Sequence, residues 1–362
     1  MRSRHCFAIV LASILAAIGA LPDVRGQESV PYPPPAQVKA AFLKMLDRPK
    51  VDPDVKSDGG KKIDGGFVLE HLTFASQKNA DGSLERVPML ILKPADAKGK
   101  LPAVLVLHGT GGSMTGQIPD MKQLAKRGII GVAIDARYHG ERSGGAKGAA
   151  AYNKAIIRAW HTKPGEPMEH PFYFDTVWDI WRTLDVLSKR DDIDAGRLGM
   201  IGFSMGGIET WLAAAVDDRV KVTVPAIGVQ CFRYSLENDK WQGRANTIKE
   251  AHAAAAKDLG EPAVNQKVCR ELWNKIIPGI LDQYDCPSML RLFAGRPLMI
   301  LNGTEDPNCP IDGAKIAIAS AERAFKDAGA ADKLRVIIEP VGHTVTNSQR
   351  TAAMEWFVRW LK

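Results

Sequence analysis

The residues best placed to do chemistry lie at 202–207, Gly-Phe-Ser-Met-Gly-Gly. A serine hydroxyl is a poor nucleophile until a base takes its proton. The apolar run RLGMIGF (197–203) predicts a buried strand before Ser204, and MGGIETWLAAAV (205–216) predicts a helix rich in small residues after it. A serine on a sharp strand-to-helix turn needs small neighbours, because the tight backbone leaves no room for a Cβ. The turn lifts Oγ clear of a sheet and sets it over a helix N-terminus. There the dipole and free N–H groups favour developing negative charge. The chemistry implied is acyl transfer with Ser204 as nucleophile.

Such a serine requires a base and an acid, which on a sheet of this kind follow later strands in the order nucleophile, acid, histidine. PLMILNG (297–303) runs into Thr304-Glu305-Asp306, and KLRVIIEP (333–340) into Val341-Gly342-His343. Asp306 is the expected acid, with Glu305 beside it as the alternative, and His343 is the expected base. His108 and His139 also follow strand ends, but they precede Ser204. His5 falls in the leader and His71 in an early hairpin. His161, His170 and His252 fall in helices or connecting segments, where surface or packing roles are the default.

An oxyanion hole needs two backbone N–H donors aimed where charge develops. Met205, directly after the nucleophile, is one candidate. The other is Thr110 in the run HGTGG (108–112), with Gly111 as the near alternative. Asp135-Ala136-Arg137-Tyr138-His139-Gly140 offers a second acid–base set, read here as a turn that orders a strand end through local polar contacts. Trp178 and Trp181 read as core packing.

The elements that must position these residues follow from the same patterning. A Pro-rich lead (27–35) precedes a short helix over 36–48 and a Gly/Asp/Lys-rich loop to about Gly66. The runs 67–76 and 85–94, joined through Asn79, Asp81 and Gly82, predict an antiparallel hairpin. PAVLVLHG (102–109) and IIGVAIDA (129–136) are continuously apolar, as strands buried on both faces of a parallel sheet are. MKQLAKRG between them predicts a helix ended by Gly128. A longer helix over 172–190 carries Val177, Ile180, Trp181, Leu184 and Leu187 on one face. After a strand at 220–228, residues 229–296 are largely helical and interrupt the alternation. A helix from Ile311 and a terminal helix (351–362) complete the pattern. The fold class expected is α/β, a mostly parallel sheet with helices on both faces, a leading antiparallel hairpin and a helical cap insertion at 229–296. In such sheets ligands gather at the carboxyl ends of the strands, where every candidate above falls.

Composition bounds the reading. The chain has 362 residues, 45% of them apolar and 25% charged, which is ordinary globular composition without repeats. Residues 1–26 have the positive start, apolar run and small residues of a signal peptide, so the protein is expected to be exported. Nothing later is apolar for long enough to span a membrane. Cleavage before Gln27 removes three Arg and one Asp, taking the formal charge from +7 to +5. No basic block with interleaved aromatics points to nucleic acid. Cys231, Cys269, Cys286 and Cys309 remain, an even count that fits two disulfides in an exported chain or four buried free thiols.

The HGTGG loop, DARYHGER (135–142), GFSMGG, TEDPNCP and VGHTVT together resemble the α/β-hydrolase superfamily, most of all its dienelactone-hydrolase-like and acetyl-xylan-esterase-like branches. The resemblance covers residues 67–362. It implies a catalytic domain over that span, a Ser–Asp–His triad, and hydrolysis of a carboxylic ester without metal or organic cofactor. True dienelactone hydrolases use a cysteine where this chain has Ser204. A small-molecule or carbohydrate ester is the expected substrate. A peptidase of prolyl-oligopeptidase-like catalytic type and an acyltransferase are the alternatives. The insertion, with Phe232, Tyr234, Trp241, Trp273 and Tyr284, is the expected source of selectivity, unless those rings form its own small core.

Overall fold

The computed structural model describes residues 32–362, and the expected signal peptide lies outside the described residues. Tyr32–Lys362 forms one compact unit. Its first helix, α1 (Pro35–Met45), starts with proline, whose fixed φ suits a first helical turn. Val38 and Phe42 on it are fully buried, so the helix expected over 36–48 packs into the core.

Three antiparallel strands follow, β1 (Lys56–Ile63), β2 (Phe67–Lys78) and β3 (Leu84–Pro94). The last two are the expected hairpin. The first corrects the loop expected before Gly66: KSDGGKKI is polar and almost wholly exposed, and it pairs along β2 through backbone bonds, helped by Ser57 Oγ donating to Glu70 at 2.7 Å and Asp58 accepting the His71 amide at 3.1 Å. With no buried face it has no apolar alternation to read.

Alternating strands and helices then build the parallel part: β4 (Leu101–Leu107), α2 (Ile118–Ala125), β5 (Ile130–Ile134), α3 (Ala150–His161), α4 (Phe174–Leu187), β6 (Ile193–Phe203), α5 (Met205–Val216) and β7 (Val220–Ala226). Five short helices fill the insertion: α6 (Phe232–Glu237), α7 (Gln242–Asn246), α8 (Lys249–Asp258), α9 (Gln266–Ile276) and α10 (Cys286–Met289). The chain closes with β8 (Leu298–Gly303), α11 (Ile311–Asp327), β9 (Leu334–Glu339) and α12 (Asn347–Leu361). The sheet order is β1-β2-β3-β5-β4-β6-β7-β8-β9, parallel from β5 through β9.

Two cores flank this sheet. α2 and α12 cover one face, packing Met121, Leu124, Trp356 and Phe357 on it. α1, α4, α5, α11 and the insertion build the larger core on the other. Strands buried on both sides are apolar throughout, which is why β4, β5 and β8 read as unbroken hydrophobic runs. α3, which the sequence does not announce, packs on α8 and α9 of the insertion.

The insertion's aromatics divide. Phe232, Trp273 and Tyr284 are buried; Phe232 and Trp273 meet edge-to-face at 5.7 Å, and Tyr284 meets Phe42 of α1 at 5.0 Å. Tyr234 and Trp241 are half-buried. The four cysteines are separate buried thiols, the second of the two alternatives that their even count left open. Trp178 and Trp181 pack in the core, their indole N–H groups donating to the Ser76 and Ala213 carbonyls.

Candidate active site

Ser204 sits between β6 and α5 with φ +56° and ψ −111°, a conformation costly for a residue with a Cβ. The surrounding backbone over-determines it. Ser204 N–H donates to Ala226 O at 3.0 Å, and Gly206 N–H donates to His108 O at 3.1 Å. A Cβ on Gly202 would stand 2.1 Å from Gly206 O, and one on Gly206 would stand 2.5 Å from Leu107 O. Small residues here let α5, buried along its whole length, lie directly on the strands.

Asp306 follows β8 and His343 follows β9, and the two loops are tied together. Thr304 N–H donates to Glu339 O at 2.9 Å, and Glu305 N–H donates to Val341 O at 3.1 Å. The Asp306 carboxylate is buried; its Oδ1 accepts the amides of Asn308 (2.8 Å) and Cys309 (3.1 Å). Its Oδ2 lies 2.7 Å from His343 Nδ1, and His343 Nε2 lies 2.7 Å from Ser204 Oγ. A carboxylate can only accept, so Nδ1 carries the ring proton and Nε2 presents its lone pair to the hydroxyl. Glu305, the alternative acid, is exposed and outside this chain of bonds.

Met205 is the first residue of α5, so its amide is among the helix's N-terminal N–H groups without an intrahelical acceptor. The loop after β4 is fixed by His108. Ala136 N–H donates to His108 Nε2 at 3.0 Å, so Nδ1 holds the proton and donates to Gly109 O at 2.8 Å. Gly112 N–H reaches the same carbonyl at 3.0 Å. In a trans peptide the next N–H points opposite to the carbonyl, so the Thr110 amide is turned away from both donors. A Cβ on Gly109 would be 3.4 Å from the Ser204 Cβ, so this loop runs against Ser204. Gly111, with φ +78°, makes the turn that follows.

The remaining sequence candidates stand elsewhere. Asp135 caps two amides, Met114 N–H at 2.7 Å and Glu141 N–H at 2.8 Å. Arg137 makes a two-bond fork with Asp179 at 2.9 and 3.1 Å, and Arg142 adds a third bond at 2.9 Å. Burial alone would raise the Asp179 pKa; the two guanidinium groups overturn that and hold it well below the usual carboxylate range. DARYHGER is thus a structural girder of the β5 end. Burial lowers the pKa of His139 and of His252 to about 4, and His252 Nε2 accepts the Trp273 indole N–H at 3.0 Å. His71 and His161 pair with Glu141 and Asp258 on the surface, and His170 bonds the Ile276 carbonyl.

Asp306, Cys309 and His343 offer oxygen, sulfur and nitrogen atoms within 4.8 Å of one another. The set fits a cation poorly. Burial pushes the Cys309 thiol up to about 12, the Arg244 guanidinium lies 3.5 Å from its sulfur, and Asp306 and His343 already bond each other.

Sequence reasoning missed Arg244, which is buried in α7 and bonds the Asn308 carbonyl at 3.1 Å. It also missed the turn at Tyr173 (φ +78°, ψ −55°), a strained γ-turn closed by Phe174 N–H on Phe172 O. A buried arginine looks like any exposed one in a sequence, and no pattern marks this turn.

Against known proteins, residues 66–234 match the acetyl xylan esterase (AXE1) family model, and residues 166–329 match the model of fungal glucuronyl esterases. YtaP of Bacillus subtilis (strain 168), which carries a hydrolase name, is 25% identical over 290 residues, spanning 76% of this chain and 84% of that protein. The structure superposes on acetyl xylan esterase 1 from Thermoanaerobacterium sp. JW/SL YS485 with a TM-score of 0.65 and 19% identity, covering 91% of this chain and 95% of that one. A glucuronoyl esterase from Solibacter usitatus gives 0.62 and 17%, covering 89% and 92%. The fold is that of the α/β-hydrolases.

Proposed function

We infer that this carboxylic ester hydrolase of α/β-hydrolase fold is an exported enzyme acting on a small or carbohydrate-linked ester through Ser204, His343 and Asp306. The observation that carries the reading is the unbroken run of two 2.7 Å contacts from a buried carboxylate through an imidazole to a strained serine hydroxyl. Both matched family models describe esterases of carbohydrate-linked groups, which supports a sugar-borne ester as the substrate class.

The cycle is a double displacement. Ser204 Oγ attacks the ester carbonyl carbon while His343 Nε2 takes the hydroxyl proton. Asp306 orients the imidazole and stabilises the imidazolium that forms, and the amides of Met205 and Thr110 receive the oxyanion. Collapse breaks the bond to the alcohol oxygen, to which His343 returns the proton. Water then attacks the acyl-enzyme with His343 again as base, and the acid departs as Ser204 recovers its proton. No step calls for a metal or an organic cofactor.

Replacement Ser204→Ala tests the reading. Hydrolysis of a short-chain nitrophenyl ester and labelling by a fluorophosphonate should both vanish while circular dichroism is unchanged. Persistent activity in the folded variant overturns it. A panel of acetylated xylo-oligosaccharides, methyl glucuronates, aryl esters and lactones then ranks the substrates, with sugar-borne esters expected first. Mass spectrometry of the exported protein should find Gln27 at its N-terminus.

A further inference from the structure

The insertion is joined to the catalytic acid by a buried cation. Arg244, on α7, is 1% exposed and forms no salt bridge with any carboxylate among the described residues. A buried charge without an ion pair is costly, and replacing it with an apolar residue would ordinarily relieve the cost. Its contacts show what it serves. Nη2 donates to the Asn308 carbonyl at 3.1 Å and approaches Cys309 Sγ at 3.5 Å. The amides of Asn308 and Cys309 are the two that hold Asp306 Oδ1. Gln230 braces the same point when its amide is oriented to satisfy both ends, giving a bond to Asn308 O at 2.9 Å and accepting from Arg244 at 3.2 and 3.3 Å.

The backbone repeats the argument. A Cβ on Gly243 would stand 2.1 Å from Pro307 O and 2.8 Å from the Asn308 side-chain oxygen, so α7 presses on the acid loop where only glycine fits. Residues 243 and 244 therefore touch 307, 308 and 309 in turn. Burial opposes the Arg244 charge, but a guanidinium keeps its proton in a protein, and of the groups around it the Asp306 carboxylate is the one whose negative charge favours it. The acid's own negative charge is thus part of what holds the arginine, and the arginine holds the loop that shapes the acid.

We propose that Arg244 is a positioning residue for catalysis: from the insertion it clamps the 307–309 loop so that Asp306 meets His343 in the productive geometry. The proposal rests on the triad reading above. It gives the insertion a second duty, since α7 is fastened to the machinery and cannot swing free as a lid.

The test compares Arg244→Gln, Arg244→Lys and Gln230→Met in the full chain, with a short-chain nitrophenyl ester. The kcat is normalised to sites titrated with a fluorophosphonate, which removes misfolded protein from the comparison. Expected for Arg244→Gln is a fall of about 10–10²-fold in kcat per titrated site, with KM within about twofold, the signature of a group acting in the transition state. Lysine should restore at least part of that loss, and Gln230→Met should cost about threefold. An unchanged kcat per titrated site in the arginine variants overturns the proposal, because a purely structural role lowers only the number of competent sites. Should Arg244→Gln fail to fold, Arg244→Lys and Gln230→Met decide alone, with full kcat in both counting against it. Wild-type protein that is not labelled at Ser204 marks instead a failure of the triad reading.

Discussion

His343 and His108 both stand at strand ends on the carboxyl edge of the sheet, and both have an aspartate near. His343 Nδ1 meets Asp306 at 2.7 Å, and His108 Nε2 lies 4.0 Å from Asp135. They differ in what the ring nitrogens are left to do. His108 spends both on backbone, accepting from Ala136 N–H and donating to Gly109 O, and burial lowers its pKa. His343 spends one on a carboxylate and offers the other to a hydroxyl. Asp135 likewise gives its oxygens to two amides, whereas Asp306 divides its own between two amides and an imidazole. An acid and a histidine side by side do not make a base; an unspent lone pair at the sheet edge does.

That contrast can be broken most severely at the acid. Asp306→Asn should lower kcat by about 10⁴-fold, because an amide favours the wrong imidazole tautomer. Asp135→Asn should instead lower the unfolding free energy by about 2 kcal/mol, through an amide facing the Glu141 or Met114 N–H, with kcat per titrated site largely kept. Next in size, His108→Leu frees the Gly109 carbonyl and lets the Thr110 amide turn. Its cost should be about 10-fold in kcat, short of the 10²–10³ for losing an oxyanion donor outright, measured at saturating nitrophenyl ester.

Acid sensitivity sharpens the same comparison. His139 and His252 have folded-state pKa values of about 4, below the ordinary 6.5 of the unfolded chain. The unfolded state therefore binds more protons, so their contribution to stability is complete above pH 6.5 and is lost as pH falls towards 4. Two buried acids oppose them: burial raises Asp285 to about 6 and holds Glu209 well above the usual carboxylate range, so their contribution grows as pH falls. The expectation is therefore a difference: between pH 6.5 and 4 the melting temperature of His139→Gln should fall less, or rise more, than that of the parent protein. Least affected of all should be His71→Ala, which breaks an exposed pair with Glu141 at 3.0 Å. Its effect on unfolding in urea should lie within about 0.5 kcal/mol.

What could be read from the residues alone was what packing makes periodic. β4, β5 and β8 announced themselves as apolar runs, and α4 by a repeating face that meets the sheet. That Ser204, Asp306 and His343 lie at strand ends was legible because each follows such a run; their hydrogen bonds to one another appear only in the structure. The edge strand β1 was not, since a strand with no buried face carries no alternation. Nor was Arg244 or the brace at Gln230, whose roles arise from contacts across 64 and 78 positions of chain. The tautomer of His108 depends on the Ala136 amide, 28 residues away, and no spacing encodes that. The cysteines were ambiguous for the same reason, as an even count fits bonded and separate thiols alike.

The outermost strand also bears on how copies of the molecule meet. β1 carries Lys56, Lys61 and Lys62 on a rim whose pairing with β2 is broken by an irregularity between Ser57 and Gly60. Cationic, uneven rims discourage a second chain from docking strand to strand. Replacing Lys56, Lys61 and Lys62 by neutral residues would strip that guard while leaving the core in place, so such a variant should scatter light at concentrations where the parent stays clear.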